Sequence, residues 1–126
     1  MSWTRICALQ DIPVLGSRRV QRAKGMDVAL FRTAEDEVFA LLDRCPHKGG
    51  PLSQGIVFGT SVACPLHNWT VALNDGCARE PDEGCTPAFQ VKLDGGEVFL
   101  LKTELESLAV DLPAPLAGPK ISIAAV

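Results

Sequence analysis

Both histidines of this 126-residue chain stand close behind a cysteine and a proline. The first group is Cys45-Pro46-His47 and the second is Cys64-Pro65-Leu66-His67, with sixteen residues between His47 and Cys64. Proline fixes φ and withholds an amide, so neither group belongs inside a regular strand or helix. Arg44 to Leu52 carries one Cys, one His, two Pro and two Gly, and reads as a shaped loop; Cys64 to Asn68 reads as a second. A fold for this chain must therefore carry two such loops, and must bring them side by side if their four donors act together.

The rest of the chain supplies short apolar runs separated by turn signals, the pattern of an antiparallel all-β sandwich or barrel. Trp3 to Leu9 reads as a first strand, stopped by Asp11-Ile12-Pro13. Arg18 to Arg22 reads as a second, broken at Lys24-Gly25. Val28 to Phe31 and Val38 to Leu42 are paired across a turn at Glu35-Asp36-Glu37. Ile56 to Phe58 and Ser61 to Ala63 flank Gly59. Trp69 to Leu73 ends at Asn74-Asp75-Gly76, a hairpin signal because these residues accept positive φ. Glu80 to Pro87 reads as a polar loop. Phe89 to Leu93, Asp94-Gly95-Gly96 and Val98 to Leu101 read as a last hairpin, and Lys102 to Val110 as a short helix. Pro113, Pro115 and Pro119 mark an extended tail. This gives one domain over 1–108, a loop-built subdomain over about 44–74, and a Pro/Ala-rich tail over 109–126.

Composition narrows the class. An apolar share of 47% and a charged share of 21% are ordinary for a globular domain. A net charge of −3 gives no electrostatic reason to expect nucleic acid or an anionic membrane as partner. No apolar run approaches the length of a membrane span. Met1 to Gln10 lacks the pattern of a signal peptide, which makes the cytoplasm the expected compartment. The five cysteines, an odd count, speak against a disulfide framework there. Cys7 is expected as core packing, and Cys77 and Cys85 as buried structural thiols rather than redox-active ones.

Two thiolates and two imidazoles make a four-ligand metal site. Zinc accepts that set, usually with two or more residues between paired ligands. The single residue between Cys45 and His47 is cramped for one ion and suits two irons better. In a Rieske centre two Cys hold one iron and two His hold the other. A non-redox zinc or scaffold module remains the reading from another class.

The stretch from Cys45 to Gly55 (Cys-Pro-His-Lys-Gly-Gly-Pro-Leu-Ser-Gln-Gly), followed by Cys64-Pro65-Leu66-His67-Asn68-Trp69, resembles a Rieske [2Fe–2S] domain. That resemblance implies Cys45 and Cys64 on an inner iron, and His47 and His67 on an outer one. Gly50 to Val57, Asn68-Trp69 and Pro81-Asp82-Glu83-Gly84-Cys85-Thr86 further resemble the small subunit of assimilatory NAD(P)H nitrite reductase, as do Asp11-Ile12-Pro13 and Gly16 to Val20. The likeness covers about residues 3 to 101. It implies electron transfer in the reduction of nitrite to ammonia. The chain would carry no complete active site. The large subunit would carry FAD, a [4Fe–4S] cluster and sirohaem. A free ferredoxin feeding a ring-hydroxylating oxygenase is the alternative partner assignment.

High-potential Rieske proteins carry an extra cysteine in each loop and a serine near a cluster sulfur. The matching positions here are Gly50, Leu66 and Trp69, which implies no bridging disulfide and a potential toward the low end of the Rieske range. Lys48 is read equally as a partner contact or a solvated side chain. Arg18, Arg19, Arg22 and Lys24 are read as a solvated edge strand, Glu80, Asp82 and Glu83 as a polar loop, and Trp69 as a core residue opening a strand.

Overall fold

The computed structural model describes residues 2–46, 50–65, 69–79 and 84–110. Among these residues ten strands form three antiparallel sheets. The first sheet contains β1 (Trp3–Ala8), β9 (Val91–Asp94) and β10 (Glu97–Leu101), in the order β1-β10-β9. The second contains β2 (Ser17–Val20), β3 (Val28–Arg32), β4 (Val38–Leu42) and β8 (Ala88–Phe89), in chain order across the sheet. The third contains β5 (Ile56–Phe58), β6 (Ser61–Ala63) and β7 (Thr70–Ala72). One short helix, α1 (Lys102–Ser107), follows β10. The expected all-β class is observed.

The pair β3–β4 explains the layout. Val28, Ala29, Leu30 and Phe31 are all buried, so this run is apolar throughout rather than alternating. A strand covered on both faces needs an apolar residue at every position. The register pairs Val28 with Leu42 and Leu30 with Ala40 on one face; Ala29 with Leu41 and Phe31 with Phe39 lie on the other. The first face joins Cys7, Ile12, Phe89, Val98 and Leu100 in a core between the first two sheets. The second joins Leu52, Val57, Val62, Val71 and Leu73 in a separate core under the cysteine loops. Fully burying a Leu or Phe side chain is worth about 2–3 kcal/mol, so both faces are driven closed by the same force.

Residues between β4 and β8 make one excursion from this wall. Its ends meet: the Leu42 amide donates to the Pro87 carbonyl at 2.8 Å, and Leu41 pairs with Ala88. The expected turn at Glu35-Asp36-Glu37 is present, with the Thr33 amide donating to Glu37 O at 2.9 Å and Asp36 at φ 65°.

Four expectations are corrected. Phe89 to Leu93 is not one strand: Ala88–Phe89 pairs with β4, while Val91–Asp94 pairs with β10. Arg22 is not a solvated side chain. Its guanidinium donates to the carbonyls of Met26 at 2.8 Å and Leu108 at 2.6 Å, and lies 5.3 Å from the Phe89 ring centroid. Cys77 and Cys85 are not buried thiols; they are bonded as a disulfide, with Cys85 exposed and Cys77 half-buried. Their closure is local, across a sequence separation of 8, and so needs no wider framework. The expected tail begins later than 109: Ala109 packs against the first core and its carbonyl accepts from Arg22. Residues 111–126 and the acidic group Glu80, Asp82 and Glu83 lie outside the described residues.

Candidate metal centre

The two cysteine loops have matching backbones. Cys45 directs its amide to the carbonyl of Gly50 at 2.8 Å, and Cys64 directs its amide to the carbonyl of Trp69 at 2.8 Å. Each cysteine thus starts a loop closed onto the residue five positions later. Each also follows a strand closely: Cys64 directly after β6, Cys45 shortly after β4. Both are 1% exposed and belong to the same apolar core with Leu52 and Val62; half-buried Trp69 packs against it. His47 and His67 lie inside the two loops, outside the described residues, together with Lys48, Gly49, Leu66 and Asn68.

Close approach of the loops depends on Gly55. A Cβ added there would stand 2.2 Å from the carbonyl oxygen of Ala63, the residue before Cys64. Only a residue without a side chain lets the end of the first loop lie on the start of the second. The Gly55 amide donates to Leu52 O at 2.9 Å, closing the 3-10 turn Leu52–Gln54 that leads into β5.

The first loop is held to the wall by Asp43. This carboxylate is 6% exposed. It accepts the Ser53 amide at 2.7 Å and the Ser53 hydroxyl at 2.8 Å, and pairs with Arg19 at 3.3 Å. A buried carboxylate is tolerated when its oxygens are paired in this way. The Ser17 hydroxyl donates to the Ser53 carbonyl, adding a second tie from β2. On the far side, Arg79 donates to Ser61 Oγ at 2.8 Å. Sequence reasoning missed Asp43 and read Arg19 only as part of a solvated edge strand, not as its partner. Their positions, 24 residues apart in the chain, carry no local sign that they meet.

Two loops on a double-faced wall thus bring two buried cysteines into one apolar core. The chain matches the profile of the Rieske [2Fe-2S] domain over residues 2–109, and it belongs to that family. Among relatives it is 30% identical over 99 residues to the ferredoxin CarAc of Metapseudomonas resinovorans, covering 78% of this chain and 92% of that one. It is 48% identical over 67 residues to a 4beta-methylsterol monooxygenase of Methylococcus capsulatus, but spans only 17% of that protein. Among solved structures it resembles a Mycobacterium tuberculosis protein assigned as an NADH-dependent nitrite reductase small subunit, with a TM-score of 0.70 and 26% identity over 79% of this chain and 93% of the other.

Members of this family bind a [2Fe–2S] cluster. The described residues fit one: two buried cysteines belong to one apolar core beneath matched loops, and each loop carries a histidine in sequence. The domain therefore serves electron transfer. Among the described residues, no helix is long and apolar enough to cross a membrane.

Proposed function

We propose that Cys45, His47, Cys64 and His67 hold the cluster, and that this chain is the electron-transfer small subunit of an NAD(P)H-dependent nitrite reductase. The observation that carries the ligand assignment is the matched pair of loops closed by Cys45–Gly50 and Cys64–Trp69. When bound, the cluster supplies one-electron oxidation and reduction. The chain's own residues fix and shelter it. Cys45 and Cys64 supply thiolates from the dry side, the core of Leu52, Val62 and Val71 excludes water beneath them, and Asp43 pins the first loop. His47 and His67 would supply imidazole nitrogens to the second iron, as the Rieske ligand set requires.

The nitrite reductase assignment is supported by the loop residues Gly50 to Val57, Asn68-Trp69 and Pro81 to Thr86, and by the likeness to small subunits of such enzymes. FAD, a [4Fe–4S] cluster and sirohaem then belong to the large subunit, and the chain works in the cytoplasm. A second reading keeps the cluster and changes the partner to a ring-hydroxylating oxygenase. It is favoured by relatives such as the 3-phenylpropionate/cinnamic acid dioxygenase ferredoxin subunit of Photorhabdus laumondii, 31% identical over 111 residues and spanned to 98%.

Co-purification from the native cell separates the two. The expected result is a sirohaem protein that comes down with this chain, and nitrite-dependent NAD(P)H oxidation that stops without it. Capture of an oxygenase instead, with no effect on nitrite reduction, overturns the first reading. Iron and acid-labile sulfide in a red-brown preparation are expected; a colourless zinc protein removes both.

A further inference from the structure

The Cys77–Cys85 disulfide adjoins Gly84, which lies near Pro46 of the first loop, and has no part in the electron relay described above. The two residues face each other across a small antiparallel bridge. That bridge is flanked by the Ala78 amide donating to Gly84 O and the Thr86 amide donating to Gly76 O, each at 2.8 Å. One arm is fastened to the third sheet: Ala72 donates to Cys77 O at 2.9 Å and Arg79 to Thr70 O at 2.8 Å. The other arm runs from Gly84 to β8 and so into the wall. The sulfur bridge thus ties the third sheet to the chain returning to the wall. It also presses Gly84 toward the site. A Cβ at Gly84, where φ is +112°, would lie 3.3 Å from the Cβ of Pro46, the residue between Cys45 and His47.

We propose that Cys77 and Cys85 form a reversible thiol–disulfide site, open to a dithiol reductant, whose reduction loosens the cover over the first cluster loop. A thiolate of the reductant attacks the exposed Cys85 sulfur. The Sγ–Sγ bond breaks, and Cys77 leaves as a thiolate and takes a proton. The reductant's second thiol then displaces Cys85 from the mixed disulfide. In total two electrons and two protons pass to the cysteine pair, and the reductant becomes a disulfide. Exposed disulfides are the labile ones, whereas buried structural bridges resist exchange. The backbone bonds of the bridge do not involve sulfur, so the reduced arms stay folded while their spacing relaxes. Gly84 then moves away from Pro46, and solvent gains the Cys45 side of the cluster. This consequence rests on Cys45 being a ligand; the exchange chemistry does not.

The test uses cluster-loaded protein. Alkylation under native conditions, read by mass spectrometry, is expected to leave Cys77 and Cys85 unlabelled as isolated and to label both after treatment with dithiothreitol. Prompt labelling without reductant, or none until the protein is unfolded, overturns the proposal. The second readout is the rate at which a chelator bleaches the visible spectrum. Closing a ring this short restricts a fully open chain by roughly 80-fold; arms that stay bridged release only part of that, about tenfold in local opening. Reduced wild type is expected to bleach about tenfold faster than oxidised, and at the rate of C77S/C85S, which the same reductant leaves unchanged. Equal rates for oxidised and reduced wild type also overturn it. A colourless preparation speaks against the ligand assignment, not the thiol site.

Discussion

The two faces of the β3–β4 wall bury similar residues for different ends. Val28, Leu30, Ala40 and Leu42 close against Val98 and Leu100 of β10 and Cys7 of β1, and that core is complete in protein alone. Ala29, Phe31 and Leu41 close against the three-residue strands β5, β6 and β7, and that core has Cys45 and Cys64 among its members. Its short strands give little pairing, and two of its buried groups are thiols suited to iron. On the proposed ligand assignment the first core needs no cluster, whereas the second would gain order from it, because ligand binding and local folding share one free energy.

The largest expected effect breaks the second core alone. Cys64→Ser or His67→Ala removes the visible Rieske spectrum entirely, and amide hydrogen exchange accelerates in β5–β7 while β1 and β10 stay protected. Equal deprotection of both regions contradicts the division. Next come truncations on opposite faces of the wall. Leu30→Ala and Leu41→Ala are each expected to cost about 3 kcal/mol in urea unfolding. Only Leu41→Ala should shed iron during purification; iron loss from both means that the wall does not insulate its two sides. Asp43→Ala strands the Ser53 amide and is expected to cost about 2 kcal/mol, with faster iron release than any change on β1; Arg19 keeps Asp27 at 3.8 Å.

The smallest effect belongs to the support core and to alkaline pH. Burial pushes the Cys7 thiol above its ordinary value of 9.0. The folded state therefore holds this proton more tightly than the unfolded state. The resulting stability is complete below pH 9 and is lost as pH rises through the folded value. Cys7→Ala should flatten the fall in stability above pH 9 without touching the spectrum. An unchanged alkaline slope assigns that loss to other groups.

The strands of the wall were legible because a continuous apolar run bounded by turns has few other uses. Val28 to Phe31 and Val38 to Leu42 lie where the pattern puts them. The cysteine loops were legible because proline and glycine interrupt every alternative. What escaped were meetings between distant residues. Gln90 marks no visible stop, yet the chain changes partners there from β4 to β10. Arg22 looks like any surface arginine until it meets carbonyls 86 and 87 positions further on. Cys77 and Cys85 flank a stretch whose polarity says loop, and only the antiparallel bridge brings their sulfurs together. Polarity reports solvent contact well and partner identity poorly.

The meeting of Leu42 with Pro87 has a consequence for how such a chain can change over time. Entry and exit of the excursion are adjacent, so everything between them behaves as a cassette. It can lengthen, shorten or be traded for another version without rethreading a single strand of the support. Conversely, a tight turn joining the two ends would leave β1–β4 and β8–β10 with all their pairings. Such a stripped chain is a direct way to ask whether the carrier of this redox centre is a foldable object in its own right.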